Sequence, residues 1–477
     1  MIPKIYLRFG LQLLLLVAVF IFLSMMWNVE FLSSIIPGIE RSNSIRSNIK
    51  NINRRLAVKR AMQHAWTGYE TYAFGKDELL PVTGSFKQNW GVTLIDSLST
   101  LYVMGMHEEF NRAKEFVKTI DFSTTIPGHH TSLFETNIRC LGGLISAYDL
   151  SGDKIFLQKA VDLADILILK QSFGFQTNIA EAGTLQLEFQ RLSNLTGNRE
   201  YYKKSQKVID LLDEMEKPIP GLYPRMIDIR GMRLYGEISM GAMADSFYEY
   251  LLKLYLMYNK NGEQYRRMYE ESIDSMKEHM VFKSIGKMRL TYVSELDGYG
   301  LLTLGSVELN RADDLVLAKE LIETCYATYK HTKTGLGPEY VNFYTSKLQI
   351  STRSAFQSNS SSYDTSSDYY IGPSNLLRPE MIESLMIMYR VTGDEKYRDW
   401  GWNAFMSFEK YSKTPIAYSS YENVNDVDNN LNYRNSMESF FLGETLKYLY
   451  LLFSEPSVIP LNEYVFNTEA HPIKIMK

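Results

Sequence analysis

The chain has 477 residues, 45% of them hydrophobic and 22% charged, with a formal net charge of −4. So small a charge excludes the basic surface of a nucleic-acid binder and a polybasic face for acidic lipids, and two cysteines leave the core to hold itself without a disulfide framework. The length suits one large domain or two ordinary ones, and 33 tyrosines, 24 phenylalanines and 5 tryptophans supply rings for a core and for a sugar cleft.

The first element is an apolar run over 10–27, broken only by Gln12 and Ser24 and preceded by Lys4 and Arg8. About 18 such residues cross a bilayer core of ~30 Å, and the basic residues ahead favour a cytoplasmic N-terminus. The expected layout is a cytoplasmic tail over 1–9, a transmembrane signal-anchor over 10–27, a polar stem over 28–54 and one lumenal domain over 55–477. A cleaved signal peptide is the rival reading, but Ser24-Met25-Met26-Trp27 is bulkier than a small-residue cleavage site. The glycosylation sequons at Asn194 and Asn359 agree with a lumenal domain. Cys140 and Cys325 could pair or remain as buried thiols.

Beyond the stem, apolar residues recur at helical spacing over 61–72, 93–104, 137–149, 155–168, 185–192, 244–258, 382–390 and 437–453. Three of these stretches end alike, at Gly152-Asp153, Gly197-Asn198 and Gly393-Asp394, each followed by an aromatic residue. Glycine supplies the left-handed closing residue, and Asp or Asn caps the next helix. Helix hairpins repeated in this way predict an all-α toroid. Polar stretches over 357–372 and 412–436 read as loops, each just ahead of a candidate site motif.

Carboxylates mark the ends of these helices. Glu135 and Arg139 stand four apart, as do Asp245 and Glu249, while Glu380 and Glu383 open a helix behind Pro379. Glu438 and Glu444 flank Phe440 on another apolar helix, and Thr468 and Glu469 lie in Phe466-Asn467-Thr468-Glu469-Ala470-His471-Pro472. Any one of these reads equally well as a surface ion pair or a helix-start acid. As a set brought to one face of a toroid, they offer carboxyls in unlike surroundings for acid/base cleavage of a glycosidic bond. The hydroxyl, amides and carboxylates around Thr468 suit a hard cation such as calcium.

These motifs, with Gly91-Val92-Thr93-Leu94-Ile95-Asp96-Ser97-Leu98, Leu377-Arg378-Pro379-Glu380 and the segment 181–189, resemble class I α-1,2-mannosidases, glycoside hydrolase family 47, over about 55–475. The resemblance implies an (α/α)7 barrel holding Ca2+ and an arm of a high-mannose N-glycan, with inverting hydrolysis of terminal α-1,2-linked mannose. It implies Glu135 as general acid acting through a water, Glu380 as the base and Asp245 as the third essential carboxylate. Arg139, Arg378, Glu383, Glu438, Phe440, Glu444 and Glu469 would hold the sugar or calcium-bound waters, and Thr468 would ligate the metal. Together with the N-terminal apolar run, it leads to the expectation of a monomeric, single-pass type II protein of the endoplasmic reticulum membrane or early Golgi.

The chain departs from the family pattern at three positions. Ser99 replaces an aspartate, Met243 an arginine of ER-type enzymes, and Gly298 a substrate-binding histidine, in a segment Gly298-Tyr299-Gly300-Leu301-Leu302 that also lacks the family's disulfide cysteine. These losses keep a second expectation open, a catalytically weak mannosidase-like glycan-binding factor of ER-associated degradation.

Overall fold

The computed structural model describes residues 37–87, 90–124, 132–169, 175–294, 300–344, 367–428 and 432–477, with side chains from residue 47 on, except those of 169, 300 and 301. The run 10–27, Asn359 and Gly298 lie outside the described residues, within which no helix is long and apolar enough to cross a membrane. The chain divides into Met1–Leu56 and Ala57–Lys477; the larger unit carries every site motif.

The helices are α1 (Pro37–Tyr72), α2 (Val92–Val103), α3 (His107–Thr119), α4 (133–151), α5 (Lys154–Leu169), α6 (Ile179–Gly183), α7 (Gln186–Thr196), α8 (Arg199–Glu214), α9 (Asp245–Met257), α10 (Glu263–His279), α11 (Gly300–Glu308), α12 (Ala312–Lys330), α13 (Glu380–Thr392), α14 (Glu395–Ser407) and α15 (439–452). Seven of them close a ring: α2 packs on α4, α4 on α7, α7 on α9, α9 on α11, α11 on α13, α13 on α15, and α15 returns to α2. The helix following each of the first six packs behind it, α3 on α2 through to α14 on α13. The expected toroid is thus a ring of seven inner helices with an outer layer.

Sequence pattern explains which layer each helix joins. Inner helices bury nearly every residue: in α2, Thr93 to Leu101 are all buried, polar and apolar alike. Outer helices bury one stripe. In α8 this is Tyr201, Ser205, Ile209 and Leu212, and the remaining surface is left to charges. The periodicity found all the inner helices except α11 and, of the other helices, only α5 and the end of α1; it missed α3, α6, α8, α10, α12 and α14.

The fold also holds strands that an all-α expectation omits. Antiparallel pairs join β1 (Glu78–Leu80) to β2 (Ser85–Lys87), β6 (Val281–Lys283) to β7 (Thr291–Val293) and β8 (Val341–Phe343) to β9 (Tyr369–Ile371). A three-stranded sheet runs β3 (Gln176–Asn178), β4 (Pro224–Asp228), β5 (Arg233–Ile238), and β10 (Tyr464–Phe466) pairs with β11 (Pro472–Lys474). Strands of three to six residues carry too few alternations to register as a period. The last pair matters most, because β10 packs on α9 and β11 on α4, which places the turn between them inside the ring.

The repeated helix ends form as their chemistry predicts. Gly152, Gly197 and Gly393 adopt φ of 72°, 76° and 70°. Their N–H groups donate to Tyr148, Ser193 and Tyr389 carbonyls, and Asp153, Asn198 and Asp394 side chains then accept from the backbone two residues on. A Cβ at any of these glycines would meet nothing within 4 Å, so only the backbone conformation demands glycine. Gly393→Ala is therefore expected to cost about 1 kcal/mol, read as a lowered midpoint in denaturant unfolding. No disulfide joins Cys140 to Cys325, so the possible pairing between them does not form.

Candidate active site

The turn 467–471 organises the interior of the ring. Asn467 is fully buried, and its Oδ1 accepts from the backbone N–H of Glu469 at 3.0 Å and of His471 at 2.8 Å. Its Nδ2 donates to the Ile138 carbonyl at 2.9 Å and to Glu188 Oε1 at 2.8 Å. A Cβ at Gly142 would stand 2.5 Å from that Nδ2, so α4 must present a glycine for the turn to approach. Thr468 Oγ1 then donates to Glu249 Oε2 at 2.8 Å, and Glu469 receives the Arg139 guanidinium.

Arg139 ties the turn to three inner helices. Its Nε donates to Glu135 Oε2 at 2.6 Å, and its Nη1 reaches Ser439 Oγ at 3.0 Å, Asp96 at 3.6 Å and Glu469. Phe440, almost fully buried, lies 5.7 Å from the guanidinium carbons of both Arg139 and Arg378. Arg378 in turn donates to Glu339 at 2.7 Å and lies 3.6 Å from Glu380. Farther along α13, Glu383 accepts from the Tyr448 hydroxyl at 3.1 Å and lies 3.8 Å from Lys253, which also donates to Glu249.

The structure therefore brings Glu135, Arg139, Arg378, Glu380, Glu383, Phe440, Thr468 and Glu469 into one chain of contacts. Asp245 occupies the first turn of α9, one turn ahead of Glu249, where its Oδ1 accepts from the Ser246 N–H. Glu438 joins from the side, 3.0 Å from the Ser436 hydroxyl that also faces Glu78. Glu444 is buried close enough to Glu380 and Asp96 to feel both charges. Asn194 stands apart on the exposed end of α7.

Glu135, Asp245, Glu380 and Glu383 all sit in the first turns of their helices, where the positive end of the helix favours negative charge, and Glu249 lies one turn farther on. Exposure sorts the acids. Glu135 and Glu380 keep side-chain exposures of 50% and 40%, whereas Glu469 keeps 3%. Burial pushes the Glu383, Glu444 and Glu469 carboxyls above their ordinary range, and neighbouring carboxylates add to the shift. Burial also works to raise Asp96, but contacts with His471 and Arg139 more than offset it.

The sequence reading missed four contributors. Glu249 was visible only as an i+4 partner, yet it holds Thr468. Glu188, fully buried, accepts from Asn137, Tyr250 and Asn467, and burial pushes its carboxyl up to about 7. Lys253 and Lys447 are buried ammonium groups inside helices, where periodicity reads lysine as surface. Positive φ at Met243 (74°), Leu377 (66°) and Ala470 (55°) marks the approaches to Asp245, Glu380 and Thr468, strain of a kind that clusters at functional sites.

Glu188 gives a pH prediction. Its folded value of about 7 lies above its ordinary 4.5, so its contribution is fully present below that value and is lost as pH rises through 7. The stability advantage of wild type over Glu188→Gln should shrink by roughly 1–3 kcal/mol between pH 5 and pH 8. Denaturant unfolding at both pH values measures it; parallel curves would reject the assignment.

The donor set fits a hard cation. Asp96, Glu249, Glu383, Glu444 and Glu469 face three cationic side chains, Arg139, Lys253 and Lys447, which leaves net negative charge in a buried space. Among the described residues no three acids, histidines or cysteines converge on one metal position. A cation here would take protein oxygen from Thr468 and meet the carboxylates through water.

Comparison with known proteins places the whole ring in one family. The family model described as glycosyl hydrolase family 47 matches residues 61–173 and 168–475. Mannosyl-oligosaccharide 1,2-alpha-mannosidase MNS1 of Arabidopsis thaliana is 40% identical over 89% of this chain and 79% of its own length. The human endoplasmic reticulum mannosyl-oligosaccharide 1,2-alpha-mannosidase is 38% identical over 88% of this chain and 64% of its own. The solved alpha-1,2-mannosidase from Trichoderma reesei superposes with a TM-score of 0.80 at 32% identity, covering 89% of this chain and 99% of that one.

Proposed function

We infer from membership of glycosyl hydrolase family 47, to which this chain belongs, that it is a calcium-dependent glycosidase removing terminal α-1,2-linked mannose from high-mannose N-glycans. The observation that carries the reading is the contact chain from Thr468 through Glu249, Glu469 and Arg139 to Glu135. It gathers a cation-suited turn, a sugar-binding guanidinium and a solvent-facing acid inside one ring. Bound calcium would hold two sugar hydroxyls and favour a ring distorted toward the oxocarbenium-like transition state.

This chain's own residues would do the proton chemistry. Glu380 keeps 40% of its side chain exposed at the start of α13, against 22% for Glu383, and would take the proton from the attacking water. Glu135 would supply a proton to the departing oxygen through a water, its carboxylate oriented by Arg139 Nε. Asp245, two residues past the strained Met243, would be the third essential carboxylate. Phe440 would offer its ring to the sugar while Arg139 and Arg378 grip from either side. Attack by water from the face opposite the leaving group gives inversion.

The N-terminal apolar run makes the proposed setting the lumenal side of the endoplasmic reticulum or early Golgi, with the chain anchored as a type II membrane protein. The test is incubation of the full chain with a high-mannose glycan, with calcium or with chelator, followed by proton NMR of the first mannose released. Calcium-dependent release as the β-anomer is expected. Glycan retention without release would leave the glycan-binding reading in its place.

A further inference from the structure

Two buried lysines grip the ends of the turn that carries Thr468. Lys447, on α15, is fully buried and donates to the Ala470 carbonyl at 2.7 Å. Lys253, on α9, is almost as deeply buried and reaches the Asn467 carbonyl at 3.4 Å while pairing with Glu249. The two carbonyls stand three residues apart and bracket Thr468 and Glu469. An ammonium inside a protein costs several kcal/mol unless paired, and the carboxylates beside these two lysines supply that pairing; charge balance does not require that both also donate to carbonyls of the same four-residue turn.

We propose that Lys253 and Lys447 are positioning residues, an ammonium clamp that fixes the Thr468 turn in the shape a calcium ion needs. This rests on the calcium reading given above. Two effects of removing an ammonium oppose each other. Loss of a nearby positive charge leaves the carboxylates less compensated, which by electrostatics alone would tighten cation binding. Loss of the hydrogen bond releases a carbonyl and lets the turn, whose Ala470 is held at a φ of 55°, relax toward an ordinary conformation. The clamp assigns the larger effect to geometry, because Thr468 is the one protein donor and a small displacement removes it. A lysine acting only as a counter-ion gives the opposite sign.

The test is titration of the metal-free full chain with calcium chloride by calorimetry, for wild type, Lys447→Met and Lys253→Met, with thermal unfolding alongside. Each substitution should weaken calcium binding at least tenfold. Gly393→Ala, distant from the turn, should lower the unfolding temperature and leave calcium affinity alone, which separates positioning from general destabilisation. If a methionine variant does not fold, Lys447→Gln and Lys253→Gln, which keep an N–H donor and lose the charge, should fold and bind within threefold of wild type. Equal or tighter binding by a folded methionine variant, or tenfold weaker binding by the glutamine ones, would overturn the clamp alone. Absence of calcium binding by wild type would overturn the calcium reading and the clamp with it.

Discussion

Replacing Glu380 by glutamine is expected to lower kcat by about 10²–10⁴-fold, the range typical of general acid–base groups, with KM and calcium binding within a few-fold of wild type. The side chain keeps its shape and its place behind Pro379, and loses only the ability to accept a proton. Structural cost should be small for three reasons. Glu380 is 40% exposed. Arg378 retains its bond to Glu339. Glu444, whose carboxyl is pushed up by burial and then by Glu380, gains from the loss of a neighbouring charge. The unfolding temperature should stay level or rise slightly. Steady-state kinetics on an α-1,2-linked mannobiose or high-mannose glycan decides the matter, and a variant retaining a tenth of wild-type kcat could not have lost its base.

The ring was legible in the sequence because most inner helices carry apolar residues at helical spacing and three of them, α4, α7 and α13, end on glycine. The outer helices were not, since a helix such as α8 carries its core contact on four residues among charges. The acids were legible as helix-start carboxylates, and Thr468 as an oxygen donor, because each is local. What binds them together is not local. Asn467 joins α4, α7 and its own turn through four hydrogen bonds, and nothing in Phe466-Asn467-Thr468 announces those partners. Buried lysines escaped for the same reason: a lysine's neighbours, not its position in a heptad, decide whether it faces water. Ser99 shows how a departure from pattern is absorbed. Its hydroxyl meets His471 Nδ1 at 3.2 Å while Asp96 stands 3.0 Å from Nε2, and burial first of all holds that imidazole down to about 4. The site thereby gives up one carboxylate and keeps a neutral histidine between a hydroxyl and an acid.

Arg139→Met should be the most damaging single change to both stability and activity. The guanidinium touches Glu135, Ser439, Asp96 and Glu469 from one position, and the buried Asp96 and Glu469 would keep only the Lys447 ammonium, which Glu444 shares. Removing one partner of a buried ion pair leaves an uncompensated charge and costs roughly 3–5 kcal/mol. Part of that cost can be escaped by protonation, so the loss must depend on pH. With the cation gone, the carboxyl of Glu469, already raised by burial, rises further. The folded variant then takes up protons that the unfolded chain does not, and its stability falls more steeply as pH rises. Urea unfolding should show a small deficit near pH 5 and the full one near pH 8. Arg139→Lys should recover little, because one ammonium cannot span Glu135 and Glu469 as a planar fork does, and glycan hydrolysis should stay lost even at pH 5, where the fold survives. A deficit under 1 kcal/mol at pH 8 would mean that the acids around the turn are neutralised by something other than this guanidinium.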